Sequence, residues 1–285
     1  MNKIGFNLLP WSAGTSSKVF PLVERLKEIG YDGVELLLGS PVLAEYAALS
    51  THLQSLEMEA TAVLVLGKDE NLISPDPAIR ARGLDRIKWA IDRANELGAK
   101  IICGPFHSAH GVFSRAAPST EEYRWSAENL HQAGEYAAST EVVLALEAVN
   151  RFETYLANTM DQLANLVEQT NHPSVKAMYD THHAHIEEKS IAEAITRIAP
   201  HLAHVHISEN DRGTPGKGLV HWEQVFQSLA EIDFQGWYTI ESFSRADPDF
   251  ANAINVWREY SDPWEIAEKG YEMIKGRLLK NQMDN

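Results

Sequence analysis

The 285-residue sequence contains a single cysteine, Cys103, so it cannot form an intramolecular disulfide. Scarce cysteine fits a reducing compartment and excludes a small scaffold held together by disulfides. No run of 18 apolar residues occurs, and a membrane-spanning helix would need one. Pro10 interrupts the apolar start where the core of a signal peptide would have to continue. We therefore expect a soluble, cytoplasmic protein without a membrane partner.

Positive charge is also scarce, with 25 Lys and Arg against 40 Asp and Glu and a formal net charge of −15. A nucleic-acid-binding surface needs clustered basic residues, so this balance argues against a nucleic-acid partner. The phosphate-binding loop G-x-x-x-x-G-K-[ST] is absent, and no dinucleotide motif G-x-G-x-x-G follows the first apolar run. The missing dinucleotide motif counts against a doubly wound sheet, which is the structural alternative to a closed (β/α)8 barrel.

Short apolar runs alternate with helical patterns eight times along the chain. Several runs are continuously apolar, as strands buried on both faces are. We predict strands over residues 4–8, 33–37, 60–66, 100–104, 142–147, 175–180, 203–208 and 237–241. Eight β/α units without a linker predict a single α/β domain over residues 1–285, a (β/α)8 TIM barrel.

Helix boundary signals separate the predicted strands. Asp76 and Pro77 suit the start of a helix that runs to Leu97, with Gly98 just beyond it. Capping boxes are predicted to begin three further helices, at Ser119, Thr159 and Ser190. The segment from about residue 252 onward predicts an additional C-terminal helix that closes the barrel or mediates oligomerisation.

Ionisable residues lie at the ends of the last four predicted strands, which is where a TIM barrel places its active site. Strands five, six and eight end in Glu147, Asp180 and Glu241, and strand seven carries His206 near its end. Adjacent strands lie about 4.8 Å apart, so the four side chains can meet. Three carboxylates would repel one another without a cation, and this donor set suits Mn²⁺, Mg²⁺ or Co²⁺. Singly, each residue could be a helix cap or a core side chain, whereas four on consecutive strands favour a metal site.

The segments that carry these four residues are 146–155, 180–188, 204–213 and 241–243. Together they resemble the motifs of the D-tagatose/D-allulose (psicose) 3-epimerase family, within the xylose-isomerase-like TIM-barrel sugar isomerases and epimerases. The spacings between the proposed ligands, 33, 26 and 35 residues, fit that family's pattern. The resemblance implies an isomerase that interconverts free ketohexoses at C3, such as D-tagatose and D-sorbose or D-fructose and D-allulose, or ketopentoses.

In such an enzyme one divalent ion, Mn²⁺ or alternatively Co²⁺ or Mg²⁺, would bind the C2 oxygen and the C3 hydroxyl of the ketose. The resemblance assigns the four metal ligands as Glu147, Asp180, His206 and Glu241. Glu147 and Glu241 would also be the catalytic pair: one removes the C3 proton to give a cis-enediolate, and the other protonates its opposite face. Glu153, His183 and Arg212 would bind the substrate near O1, O2 and O3. Family members are usually homo-oligomers, which implies a dimer or tetramer here.

The N-terminal half is expected to supply the wall of the substrate pocket. The candidates at or just after strands one, three and four are Phe6, Trp11, Gly67 and His107. His107 and His110 depart from the aromatic or aliphatic residues that are typical of the epimerases at this place. This departure leaves the identity of the ketose open, but not the type of reaction.

Three alternatives remain open. Aldose–ketose or hydroxypyruvate isomerisation needs the same metal site, although hydroxypyruvate isomerases tend to carry an amide where this chain has His206. An apurinic-site DNA endonuclease uses the same barrel with several zinc ions, but strand three ends here without a histidine for a second metal, and the chain is acidic. A non-catalytic sugar-binding barrel would not need the complete set of carboxylates.

Overall fold

Eight parallel strands pair in chain order, and the first also pairs with the last to close a barrel. The computed structural model describes residues 2–283. The strands are β1 Lys3–Asn7, β2 Gly33–Leu37, β3 Glu59–Val63, β4 Ile101–Gly104, β5 Val143–Glu147, β6 Val175–Asp180, β7 Leu202–Ile207 and β8 Trp237–Ile240. The fold is the (β/α)8 TIM barrel of the α/β class that the sequence predicts.

Helices surround the barrel and alternate with the strands. They are α1 Phe20–Ile29, α2 Leu43–Ser55, α3 Pro77–Leu97, α4 Thr120–Ala137, α5 Met160–Thr170, α6 Thr181–Glu187, α7 Ile191–Ile198, α8 Trp222–Glu231, α9 Pro248–Ala253 and α10 Pro263–Met283. Short 3₁₀ turns add Ser17–Val19, Lys68–Glu70 and Ala199–His201. Within residues 2–283, none of the helices has both the length and the apolar composition that crossing a bilayer requires.

The predicted helix starts are mostly confirmed. Asp76 accepts a hydrogen bond from the Ala78 amide at 2.9 Å, and the boxes at Ser119 and Thr159 have both reciprocal bonds. At Ser190 the hydroxyl accepts the Glu193 amide at 3.3 Å, but no return bond is made among the described residues. Only half of the third predicted box is therefore present.

Two boundaries differ from the sequence prediction by more than one residue. Strand β3 ends three residues early because the chain leaves the sheet after Val63, and Leu66 makes only an isolated bridge to Ala109. The C-terminal region is not one helix from about residue 252. Helix α9 ends at Ala253, and α10 begins only at Pro263, where Asp262 accepts the Trp264 amide at 2.9 Å.

Side chains alternate between the two faces of the barrel wall, as the pleat of a strand requires. One set faces the helices and forms the main apolar core. The inward set includes a small apolar cluster of Val63, Cys103, Ala145 and Met178. Glu35 of β2 also points inward, where buried polar side chains contact it. The barrel interior therefore combines a small apolar cluster with a group of buried polar side chains around Glu35.

Gly104 ends β4 in the left-handed region, with φ +127°, where side chains are strained. A Cβ at this position would lie 2.4 Å from the carbonyl oxygen of Leu64. We expect Gly104→Ala to lower the free energy of unfolding by about 2 to 4 kcal/mol. Gly39 is the matched control, because a Cβ added there would contact no other residue within 4 Å. In urea denaturation, equal losses for Gly104→Ala and Gly39→Ala would contradict this account.

Candidate active site

Four ionisable side chains meet at the carboxyl ends of β5 to β8. Glu147 and Asp180 are the last residues of β5 and β6, His206 is the next-to-last residue of β7, and Glu241 directly follows β8. Each offers one ligand atom, and these atoms all lie within 4.8 Å of one another. All four side chains are buried. The structure thus brings together the four residues that the sequence singles out.

Backbone and side-chain contacts aim these groups at a common point. Asp180 caps α6: its Oδ1 accepts the amides of His182 and His183 at 2.6 and 3.1 Å, which leaves Oδ2 free to face the cluster. The Nδ1 atom of His206 lies 3.5 Å from Asp180 Oδ2 and 3.5 Å from Glu241 Oε2. The arrangement therefore depends on how the strands end, and not on flexible loops.

The cluster fits a divalent cation. Glu147 Oε1 and His206 Nδ1 are buried and make no hydrogen bond to any described residue. Buried polar atoms are almost always paired, so two unpaired ligand atoms beside further carboxylates indicate a place for a bound ion. Three carboxylates and one imidazole are donors that Mn²⁺ and similar ions accept. The four residues could therefore hold a metal ion.

The electrostatics of the cluster also favour bound positive charge. Burial raises the pKa of Glu147 well above its ordinary value, and the Glu241 and Asp180 carboxylates raise it further. Burial opposes protonation of His206, but Glu35 and Glu241 outweigh it and raise the pKa of this imidazole. Burial would likewise raise the pKa of Asp180, but Arg212 holds it well below its usual range. The raised pKa of Glu147 reflects repulsion among the three carboxylates, which a bound cation would relieve.

Arg212, in the loop after β7, reaches the same point. Its Nη1 donates to Asp180 Oδ2 at 3.0 Å, to Glu241 Oε2 at 2.7 Å and to Ser208 Oγ at 2.6 Å. Its guanidinium carbon lies 4.9 Å from the centre of the Phe243 ring. The backbone of Arg212 is left-handed, with φ 63°, which is uncommon for a residue with a side chain. Such strain is typical of residues held in place at functional sites.

His183 and Glu153 complete the polar side of the site. His183 Nε2 lies 3.5 Å from Glu147 Oε1, and His183 Nδ1 accepts the backbone amide of Asn150 at 3.1 Å. Glu153 accepts the Asn150 side-chain amide at 2.8 Å and lies 3.2 Å from His110 Nε2. Although burial opposes it, the hydrogen bond from His110 helps to lower the pKa of Glu153, so this carboxylate stays ionised.

A cavity of about 310 Å³ opens above these residues. Its polar lining consists of Glu147, Glu153, His183, Arg212, Glu241, His110 and Asn255. Its apolar lining includes Leu9, Leu37, Val63, Val65, Pro105, Val149, Phe243, Phe250, Ala253 and Ile254. A small pocket with convergent polar groups on one side suits a small polar ligand.

Three of the predicted wall residues, Phe6, Trp11 and Gly67, lie outside the cavity lining of the structure. Phe6 faces the helices, where it packs 5.1 Å from Trp11, and Trp11 packs 4.5 Å from Trp264, both measured between ring centres. Gly67 is exposed and precedes the turn Lys68–Glu70. None of these three residues lines the cavity, because the strand pleat and the loop paths turn them away. Leu9, two residues after the end of β1, lines the cavity instead.

His107 also lies outside the cavity lining. It is buried behind the end of β5, and its Nε2 lies 3.0 Å from the backbone oxygen of Glu147. Burial lowers the pKa of His107 to about 4, so the ring is neutral and can donate to that oxygen. His107 therefore supports Glu147 from behind, and His110 is the histidine of this loop that reaches the cavity.

Sequence reasoning missed Glu35, which lies in the middle of β2 and is completely buried. Its Oε1 lies 2.8 Å from Nε2 of His206. The available signal is a carboxylate inside the otherwise apolar run Gly33–Leu37. In a strand buried on both faces, such a residue needs partners inside the barrel.

The barrel fold and the cluster of three carboxylates and one histidine agree with the results of sequence comparison. The profile of the xylose isomerase-like TIM barrel family matches residues 23–270. The L-ribulose 3-epimerase of Methylomonas sp. is 34% identical over 270 residues, which cover 94% of this chain and 93% of that protein. The D-psicose 3-epimerase of Agrobacterium fabrum is 29% identical over 262 residues, with coverages of 90% and 91%.

Structural similarity agrees. The crystal structure of a D-allulose 3-epimerase from Methylomonas sp. in complex with D-allulose superposes with a TM-score of 0.90 at 32% identity and covers 96% of both chains. The chain therefore belongs to the ketose 3-epimerase family of xylose isomerase-like TIM barrels, and it is an isomerase.

Proposed function

We propose that this protein interconverts free ketohexoses or ketopentoses at C3 with the help of one divalent ion, Mn²⁺ in the first place and Co²⁺ or Mg²⁺ as alternatives. The observation that carries the proposal is the convergence of Glu147, Asp180, His206 and Glu241 within 4.8 Å beneath the cavity. A bound divalent ion supplies positive charge where the negative charge of an enediolate develops.

Glu147 and Glu241 are the proposed acid–base pair. They come from β5 and β8, which are not neighbours in the barrel, so they approach a bound sugar from different directions. One carboxylate takes the proton from C3, and the electron pair of that C–H bond moves toward C2 to give a cis-enediolate. The other carboxyl group returns a proton to the opposite face of C3, which inverts this carbon.

Glu153, His183 and Arg212 are the proposed contacts to O1, O2 and O3 of the ketose. All three line the same cavity as Glu147 and Glu241. Their polar atoms are held by hydrogen bonds within the protein, so they are already in place to receive the hydroxyl groups. His110 and the apolar wall remain to contact the far end of the sugar.

The proposal is tested by incubating the protein with Mn²⁺ and single ketoses in D₂O. Suitable substrates are D-fructose, D-allulose, D-tagatose, D-sorbose and L-ribulose. We expect deuterium at C3 together with the C3 epimer. Deuterium at C1 with an aldose product would instead indicate the aldose–ketose isomerisation that the same carboxylates could perform, and no exchange with any ketose would contradict the proposal.

Arg212→Lys tests the substrate-binding group. A lysine cannot form the forked contacts of a guanidinium, so we expect KM for the preferred ketose to rise by about 10-fold or more. The matched control is Arg151→Lys, because Arg151 forms its ion pair with Glu187 and does not line the cavity. Steady-state kinetics that show equal KM values for both variants would contradict this role.

We also propose that residues 1–285 form one domain and that the protein acts in the cytoplasm as a homo-oligomer, a dimer or tetramer. The net charge of −15 supports the further expectation that it does not bind nucleic acid. Light scattering of the purified chain measures the oligomeric state, and a monomer would contradict that part of the proposal.

A further inference from the structure

Glu35 lies inside the barrel directly beneath the proposed metal ligands. It is completely buried, and each of its carboxylate oxygens faces several donors. Oε1 accepts the side-chain amide of Asn7 at 2.9 Å and lies 2.8 Å from Nε2 of His206. A buried carboxylate needs such partners because it has lost its water.

The second carboxylate oxygen of Glu35, Oε2, is also surrounded by hydrogen-bond donors. Oε2 accepts the hydroxyl of Thr61 at 2.8 Å and the thiol of Cys103 at 3.2 Å. It also lies 2.9 Å from Nε2 of His204. The carboxylate is therefore fixed from β1, β3, β4 and β7 at once, so its position is rigid.

The two ring nitrogens of His206 face opposite ways. Nε2 is directed at Glu35, whereas Nδ1 lies 3.5 Å from both Asp180 Oδ2 and Glu241 Oε2. A neutral imidazole that donates its proton from Nε2 carries its lone pair on Nδ1. Metal-binding histidines usually donate their other nitrogen to a carboxylate or a carbonyl in this way.

We propose that Glu35 is a positioning residue that keeps the proton of His206 on Nε2 and thereby presents the Nδ1 lone pair to the divalent ion. The inference rests on the proposed function, because it assumes that His206 is a metal ligand. Glu35 itself does not line the cavity and is not one of the four proposed metal ligands.

The same residues could be read as a second metal site, because Glu35, Cys103, His204 and His206 also offer ligand atoms within 4.8 Å of one another. Two neutral donors argue against that reading. Asn7 and Thr61 each direct a hydrogen atom at a Glu35 oxygen. A cation at this place would have to compete with both donors, whereas a hydrogen-bonded carboxylate needs them.

Two substitutions test whether the hydrogen-bond-accepting oxygen of Glu35 or its negative charge is responsible for the effect. Glu35→Leu removes the acceptor, and Glu35→Gln retains one amide oxygen that can take the place of Oε1. Thr239→Val is the matched control, because Thr239 is buried in the barrel wall and its hydroxyl has no hydrogen-bond partner among the described residues. Each chain is stripped of metal and then titrated with Mn²⁺ alone, and the bound ions per chain are counted.

We expect one ion per chain in the unsubstituted protein and in Thr239→Val. Glu35→Leu is expected to bind Mn²⁺ about 10- to 100-fold more weakly, and Glu35→Gln to recover most of this loss. The visible spectrum of bound Co²⁺ should change in Glu35→Leu, because the coordinating nitrogen is no longer held. Thermal unfolding of the metal-free chains shows separately how far each substitution weakens the barrel itself.

An unchanged Mn²⁺ affinity and Co²⁺ spectrum in folded Glu35→Leu would overturn the inference, and so would two ions per unsubstituted chain. If Glu35→Leu does not fold, ¹⁵N spectra of the histidines in the Mg²⁺-loaded, unsubstituted protein decide the matter: a proton on Nδ1 of His206 overturns the inference. An unsubstituted chain that binds no ion would instead refute the proposed function, so the two failures are distinguishable.

Discussion

Replacing Glu147 or Glu241 by glutamine is expected to abolish epimerisation while the barrel stays folded. An amide can neither take the C3 proton nor return one, and positioned acid–base groups contribute about 10²- to 10⁴-fold to the rate. Loss of a metal ligand weakens ion binding in addition, so the assay is made at saturating Mn²⁺. We expect the turnover number of either variant to fall by at least about 10²-fold.

The two variants should differ in a way that identifies a two-base reaction. With one carboxylate gone, the other can still remove and return the C3 proton on its own face. We therefore expect each variant to exchange C3 hydrogen with D₂O for only one of the two epimers, and Glu147→Gln and Glu241→Gln to favour opposite epimers.

Glu188→Gln is the control for this pair, since Glu188 is half-buried at the end of α6, accepts the Met160 amide and does not line the cavity. It should keep full activity. Substantial epimerisation by Glu147→Gln or Glu241→Gln, or exchange of both epimers by one of them, would refute the two-base scheme.

Removal of the divalent ion is expected to stop the reaction and to lower the melting temperature. Without a cation, the repulsion among Glu147, Asp180 and Glu241 is balanced only by neighbours such as Arg212 and His206. An ion at 100 times its dissociation constant stabilises a protein by about 2.7 kcal/mol. For a chain of 285 residues, that corresponds to a rise of about 4 to 5 °C.

The measurement compares the chelated, dialysed protein with the same sample after Mn²⁺ is added back. Activity and melting temperature should both recover, and Asp180→Asn should recover neither. Full activity after exhaustive chelation, with no metal left by elemental analysis, would contradict the account.

The sequence predicted those features of the fold and the site that depend on a single residue type at a single position. Glu147 and Asp180 end their strands, and in a parallel barrel all strand ends lie on one face, so their convergence follows from the topology alone. Glycine and capping residues likewise set helix boundaries at Asp76 and Gly98 through local bonds. These features need no knowledge of how distant segments pack.

The parts that could not be predicted depend on register and loop paths. Phe6 and Leu9 are only three residues apart, yet one packs beneath the helices and the other lines the cavity. Glu35 is recognisable as a site residue only through donors on β1, β3, β4 and β7, which are far from it in the sequence. The break between α9 and α10 includes Asn255 in the left-handed region, with φ 60°, which the apolar spacing of the segment does not reveal.

The central claim is that one divalent ion lies among Glu147, Asp180, His206 and Glu241. A crystal of the protein grown with Mn²⁺ and measured at the manganese absorption edge tests it most directly. The account predicts a single anomalous peak per chain within bonding distance of all four side chains. Four side chains that diverge, with no peak between them, would contradict it.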